Sequence, residues 1–352
     1  MKLFLNILLI LASAILLVCF CFCVPSALYG GGAETLFAFN GFRLTVFGIG
    51  AGIAMLITLV LAGLCLKYQN RTLSDTLFLA ILGIPLAWLA GKAAYILSTL
   101  GQAPTKEILL PQNGGIHVFG AAAGLVLAGI LVSLFRKTGI GKMMNAVGLG
   151  LLPGLAAACI FRSFPAGQNL FVWVVPFTGG TVTLSIFLAE AALLFAAFTA
   201  MMLWLIFRRA PLPENGDFLL VSLSLYGTVR LLSLMFSAAI SGSPVMWGWR
   251  PLALAFILLL VPLIVWSVRF RHSDLKRTYI PLCWLVFLAA GAGIILRFAG
   301  KWSVPVEAVD SAATIALILL ILKPVCCMGR VSRKLFQPAV SENDVPQPYT
   351  AC

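Results

Sequence analysis

Apolar residues run through this chain in ten long blocks separated by short polar stretches, over residues 3–23, 44–66, 76–99, 116–135, 143–161, 182–207, 218–239, 251–268, 279–296 and 311–328. A helix needs about 20 mostly apolar residues to cross a bilayer, and each block is of that order. The pattern predicts an all-α polytopic membrane bundle of about ten transmembrane helices. From about residue 330 the chain turns polar and Pro-containing, and carries too little apolar content to build a core, so residues 330–352 read as a disordered tail.

Composition removes the soluble alternative: 61% of the 352 residues are hydrophobic, 10% are charged, and the mean hydropathy is +1.06. The first block follows a single Lys2, is longer than the 7–15 apolar residues of a secretory signal, and has no A-x-A site after it. It is expected to remain as an uncleaved helix.

The cations settle an orientation, because Lys and Arg are held on the cytoplasmic side. With the N-terminus inside, 16 Lys and Arg fall on inner connections and the tail (Lys67, Arg71, Arg136 and Lys137 among them), six fall outside (Arg43, Lys106, Arg162, Arg250, Arg297, Lys301), and Lys92 and Arg230 lie within spans. Both termini are therefore expected in the cytoplasm. The net charge of +13 is spread over short loops beside a membrane, which points to anionic lipid heads rather than to nucleic acid.

The nine cysteines and two histidines make neither a C-x-x-C pair nor a metal-ligand spacing, and no phosphate loop, dinucleotide fingerprint, zinc-protease or serine-elbow motif is present. No metal or cofactor is expected. Most of the cysteines lie in apolar segments, where a thiol acts as a small hydrophobe.

Function is then sought among ionisable residues inside the spans, where a charge is costly and has a partner or a task. Lys92, Glu190 and Arg230 are the candidates, with Tyr95 and Tyr226 one helical turn from Lys92 and Arg230. Two cations against one carboxylate leave a positive charge for an anionic ligand such as a phosphate head group. An ion pair that merely locks helices together explains the same residues. Gly114, Gly115, Gly120 and Gly124, with Gly148, Gly150 and Gly154, give two helices small faces that allow close approach.

Taken in order, these landmarks resemble those of the prolipoprotein diacylglyceryl transferases of the bacterial inner membrane. Gly91-Lys92-Ala93-Ala94-Tyr95 looks like the family's G-R-x-G-Y, and Gly114-Gly115 leads into the next helix as the family's Gly pair does. Leu152-Pro153-Gly154 resembles its mid-span Pro, Ala189-Glu190 its Tyr-Glu, and Tyr226-Gly227-Thr228-Val229-Arg230 its Tyr-Gly-x-x-Arg. The resemblance implies a seven-helix core over 42–272, an extra helix and outer loop over 1–41, and two extra helices over 273–329. It implies an enzyme of lipoprotein biosynthesis, multi-pass in the bacterial plasma membrane. Such an enzyme moves the diacylglyceryl group of phosphatidylglycerol to the lipobox Cys of a preprolipoprotein, so that phosphatidylglycerol or another anionic phospholipid and preprolipoprotein signal segments are the partners. Carried over, Arg230 and Lys92 would hold the lipid phosphate, Glu190 with Tyr226 would organise that site, and Tyr95, Gly114 and Gly115 would belong to the same lipid-binding set.

The sequence departs from the family at the reacting centre. The family's His falls on Phe119, with His117 two positions earlier, and its essential Arg falls on Ile160, with Arg162 two positions later. Its N-G-E becomes Ala166-Gly167-Gln168, and the acid after the Tyr-Gly motif becomes Leu234. His117 and Arg162 are therefore the candidate catalytic pair. A relative that binds phospholipid or signal segments without transfer is the alternative, and a small-solute transporter using Glu190 a third reading.

Overall fold

The computed structural model describes residues 2–24, 35–99, 115–162, 170–174, 181–208, 216–241 and 249–269, together with residues 281, 284, 285, 287 and 288. The helices among them are α1 (Lys2–Phe22), α2 (Val46–Tyr68), α3 (Leu73–Thr99), α4 (Val118–Arg136), α5 (Ile140–Arg162), α6 (Ile186–Arg208), α7 (Asp217–Ser241) and α8 (Trp249–Arg269). Among the described residues, five stretches are long and apolar enough to cross a membrane: Phe4–Phe22, Val46–Tyr68, Leu73–Leu97, Val118–Arg136 and Ile140–Arg162. The expected span at 311–328 and the tail lie outside the described residues, and the one at 279–296 is touched at only five of them.

The all-α expectation needs a correction, since two antiparallel hairpins join the helices. Strand β1 (Thr35–Phe39) pairs with β2 (Phe42–Thr45), and β3 (Leu170–Val174) with β4 (Thr181–Ser185). The first turns on Asn40-Gly41, both with positive φ (47° and 85°), as a two-residue hairpin turn requires. The second removes the start of the block at 182–207 from its helix. Thr181–Ser185 carries three β-branched residues and is taken up as a strand, so α6 begins only at Ile186.

Polar side chains set the helix ends. Thr45 caps α2, its hydroxyl accepting the Gly48 N–H at 2.9 Å. At the start of α3, Asp75 Oδ2 accepts from the Thr72 N–H (3.2 Å) and hydroxyl (2.9 Å), while its Oδ1 accepts from Arg136 Nε at 2.9 Å. One carboxylate thus caps α3 and holds the last turn of α4 beside it. Lys137 then closes α4 in the left-handed conformation, donating its N–H to Ser133 O.

Helix α5 is the axis of the molecule, buried along nearly its whole length and packed on α2, α4, α6 and α7. Small residues allow this. A Cβ on Gly150 would run into the Thr58 backbone of α2, and one on Gly124 of α4 into the Leu86 carbonyl of α3. The pairings also fix directions. Gly50, near the start of α2, lies against Phe161, near the end of α5, while Asn145 Oδ1, near the start of α5, accepts the Phe218 N–H at the start of α7 (3.1 Å). The start of α2 and the ends of α3 and α5 therefore share one end of the bundle, called here the Arg162 end. The opposite end holds Lys67, Arg71, Asp75 and Arg136.

Candidate functional site

At the Arg162 end four helices bring their polar residues to one buried cluster. His117 is the cap of α4, with its backbone extended (φ −95°, ψ 118°) and its N–H given to Gly91 O of α3 at 3.0 Å. Its Nδ1 accepts the Phe119 N–H at 3.2 Å, so that nitrogen carries no proton and the ring is neutral. The rings then step inward: His117 to Phe119 with centroids 5.3 Å apart, and Phe119 to Tyr226 of α7 at 5.1 Å.

Tyr226 and Arg230 lie one turn apart on α7, and both are buried. Arg230 Nη1 donates to Glu190 Oε1 of α6 in an ion pair that is almost wholly shielded from solvent, with side-chain exposures of 3% and 2%. The other carboxylate oxygen, Oε2, faces Cys159 of α5, whose thiol donates to it at 3.6 Å. One turn further along α5, the Arg162 guanidinium lies 4.1 Å above the ring of Phe187. Phe187 itself is one turn before Glu190 on α6, so the antiparallel helices α5 and α6 face each other in two rungs: Cys159 on Glu190, and Arg162 on Phe187.

Among the described residues the cluster holds two guanidiniums and one carboxylate. Arg162 and Arg230 carry two positive charges against the single carboxylate of Glu190, and His117 stands neutral beside both guanidiniums, close enough to feel them. Two buried like charges at this depth repel, and an anion between them would relieve that repulsion. Among the described residues no group of three or more His, Cys, Asp or Glu side chains is arranged to hold a metal ion.

The residues singled out from the sequence are distributed unevenly over this picture. Glu190, Tyr226, Arg230, His117 and Arg162 come together. Lys92 is buried on α3 next to Gly91, with its ammonium 5.8 Å from the Tyr95 ring. It acts on Cys23 at the end of α1, where Trp88 Nε1 also donates to Cys23 O at 2.9 Å. Gly115 is buried just ahead of His117, and Gly114 lies outside the described residues.

Arg162, counted from the sequence with the outer connections, is instead the last residue of α5 and only 7% exposed. Cys159, Phe119 and Phe187 were not among the candidates. Position supplies the one signal that could have found Cys159: it stands one turn before Arg162 on a small-residue helix.

The profile of the family described as prolipoprotein diacylglyceryl transferase matches residues 34–268, about two thirds of the chain. No curated protein matches it.

Proposed function

The chain belongs to the prolipoprotein diacylglyceryl transferase family and is a membrane protein; from that premise we propose that it transfers the diacylglyceryl group of phosphatidylglycerol to the cysteine of a preprolipoprotein signal segment. The observation that carries the proposal is the buried meeting of Arg162, Arg230 and Glu190 at the end where α4 begins and α5 ends. The family's arginine position is Ile160 here, and Arg162, two residues on, supplies a second guanidinium to the cluster. One displaced side chain thus offers the charge that the substituted one lacks.

In this reading the lipid phosphate lies between Arg162 and Arg230. Phe187 holds the Arg162 plane, and Glu190 fixes the Arg230 fork, so both donors are oriented before the lipid arrives. The acceptor thiol attacks the glycerol carbon that bears the phosphate ester. A C–S bond forms, the C–O bond to phosphate breaks, and glycerol phosphate leaves with its negative charge facing the guanidiniums. His117 is the group for the thiol proton: its ring is neutral, and Nδ1 would take that proton on giving up the Phe119 N–H it accepts at 3.2 Å. By the excess of cations at the Lys67 end, that end is cytoplasmic and the site faces the outer leaflet of the bacterial plasma membrane.

The test is a transfer assay with purified protein, labelled phosphatidylglycerol and a lipobox peptide, with Arg162→Ala and His117→Ala beside the wild type. Thioether-linked product from the wild type that either substitution removes supports the proposal. Labelled lipid that binds, with less bound in Arg230→Ala and no product formed, overturns transfer and leaves a phospholipid-binding relative.

A further inference from the structure

Where α1 packs against α2 and α3, a groove of about 700 Å³ remains open between them. That is the size of a pocket for a sizeable organic ligand, about 300–1,000 Å³. Its walls are apolar and follow helical periodicity: Ile10, Ala14 and Leu17 on α1 face Val60 and Leu64 on α2. Ser13, Thr72 and Thr76 also line it; the Ser13 hydroxyl donates to Leu9 O at 2.8 Å and the Thr72 hydroxyl to Asp75 Oδ2 at 2.9 Å. Val60 and Leu64 stand more than half exposed, so the groove opens to the surrounding bilayer.

Only the rim is charged, and it has one sign. Lys67 and Arg71 border the groove at the turn between α2 and α3. Among the described residues neither makes an ion pair. The nearby carboxylate, Asp75, is engaged on both oxygens by Thr72 and Arg136. A cleft that is greasy along its length and cationic at one mouth is complementary to an amphiphile with an anionic head.

We propose that this groove binds one anionic diacyl phospholipid of the leaflet that Lys67 and Arg71 face, with its phosphate at those two cations and its acyl chains along α1, α2 and α3. The site is separate from the cluster at the Arg162 end. Lys67 lies at the opposite end of α2 from Gly50, which touches Phe161 next to Arg162. One wall is α1, which precedes the family-matched residues 34–268. Occupancy here does not require transfer at the other end, so a chain that fails the transfer assay still binds this lipid.

The experiment places a photoreactive benzoylphenylalanine at Ala14, inside the groove, in the full chain, and a second probe at Ile15, which is 63% exposed and does not line it. Each protein is reconstituted into vesicles of equal phosphatidylcholine and phosphatidylglycerol, irradiated, and its adducts are identified by mass spectrometry. From the Ala14 probe, phosphatidylglycerol adducts are expected to exceed phosphatidylcholine adducts about 30-fold, the factor expected from two cations near a head group, with no preference at Ile15. Lys67→Gln with Arg71→Gln is expected to abolish the preference while lipid adducts persist. Each single substitution, at a rim position that is exposed or half-buried, is expected to reduce it in part. Equal adducts of both lipids at Ala14 overturn the proposal, as does a preference that survives the double substitution. A cross-link from Ala14 to a second copy of the chain also overturns it and assigns the groove to helix packing.

Discussion

The Arg162 guanidinium lies 4.1 Å above the ring of Phe187, one helical turn from the carboxylate that holds Arg230. A planar cation stacked on an aromatic face has its plane set by that ring, and the stack itself is worth up to about 2 kcal/mol when desolvated. An anion bound here would meet two guanidiniums whose planes are already set.

Substituting Arg162 separates that role from simple packing. Arg162→Ala is expected to lower the transfer rate about 10²–10³-fold, the loss seen when one oriented donor is removed from a charge-stabilising site. Arg162→Lys is expected to recover only part of it, since an ammonium keeps the charge but cannot stack as a plane. Initial rates with labelled phosphatidylglycerol check both, and a fully active Arg162→Ala protein would exclude the clamp.

The Glu190–Arg230 pair predicts an asymmetry in stability. Glu190→Leu alone leaves the Arg230 charge buried, and a loss of about 3–5 kcal/mol is expected, as for other buried pairs broken on one side. Glu190→Leu with Arg230→Met removes both charges and is expected to recover most of that loss while binding no lipid phosphate at the Arg162 end. Thermal unfolding in detergent, read alongside lipid binding, distinguishes the two outcomes.

At the other end of the bundle, Asp75→Asn is expected to be mild. Asparagine still accepts from Thr72 and so keeps the cap, and Arg136 is 38% exposed, so the broken ion pair costs about 1 kcal/mol or less. Transfer is expected to stay within about twofold of wild type, because the buried Asp75 and half-exposed Arg136 lie at the opposite end of the bundle from Arg162. A large loss of activity with unchanged unfolding would mean that this pair reaches the site.

Thiol accessibility tests the packing of α1 and α5 directly. Cys19 is exposed, whereas Cys65 and Cys159 are buried. Maleimide is expected to label Cys19 within minutes in detergent and to reach Cys159 only on unfolding, as mapped by peptide mass spectrometry. Rapid labelling of Cys159 in the folded protein would contradict the rung it forms with Glu190.

Much of this organisation was legible in the chain because a hydrocarbon solvent leaves few options. The apolar blocks at 44–66, 76–99, 116–135 and 143–161 became α2, α3, α4 and α5 within a few residues of their expected ends. The hairpin at Asn40-Gly41 carried a readable turn signal that block counting passes over. The strand at Thr181–Ser185 was hidden inside an apolar run, because hydrophobicity alone does not distinguish a strand from a helix. Lys92 and Tyr95, placed by their spacing on one helical face, lie with the ammonium 5.8 Å from the ring.

By itself, then, the sequence determined that long apolar helices fill the chain, that a few ionisable residues lie within or beside them, and that its landmarks follow those of a lipid-modifying family. Those are properties of one segment at a time, set by hydrocarbon content and by the cost of charge at depth. The tertiary structure alone decided which of those residues meet. Arg162 moves from a connection to a buried helix end, Cys159 gains Glu190, and Phe187 gains a cation, in a bundle where Gly50 and Gly150 let α2 and α5 approach closely. Side chains that meet across helices depend on the rotation and sliding of each helix against its neighbours, and that register arises only once small faces from distant parts of the chain are pressed together.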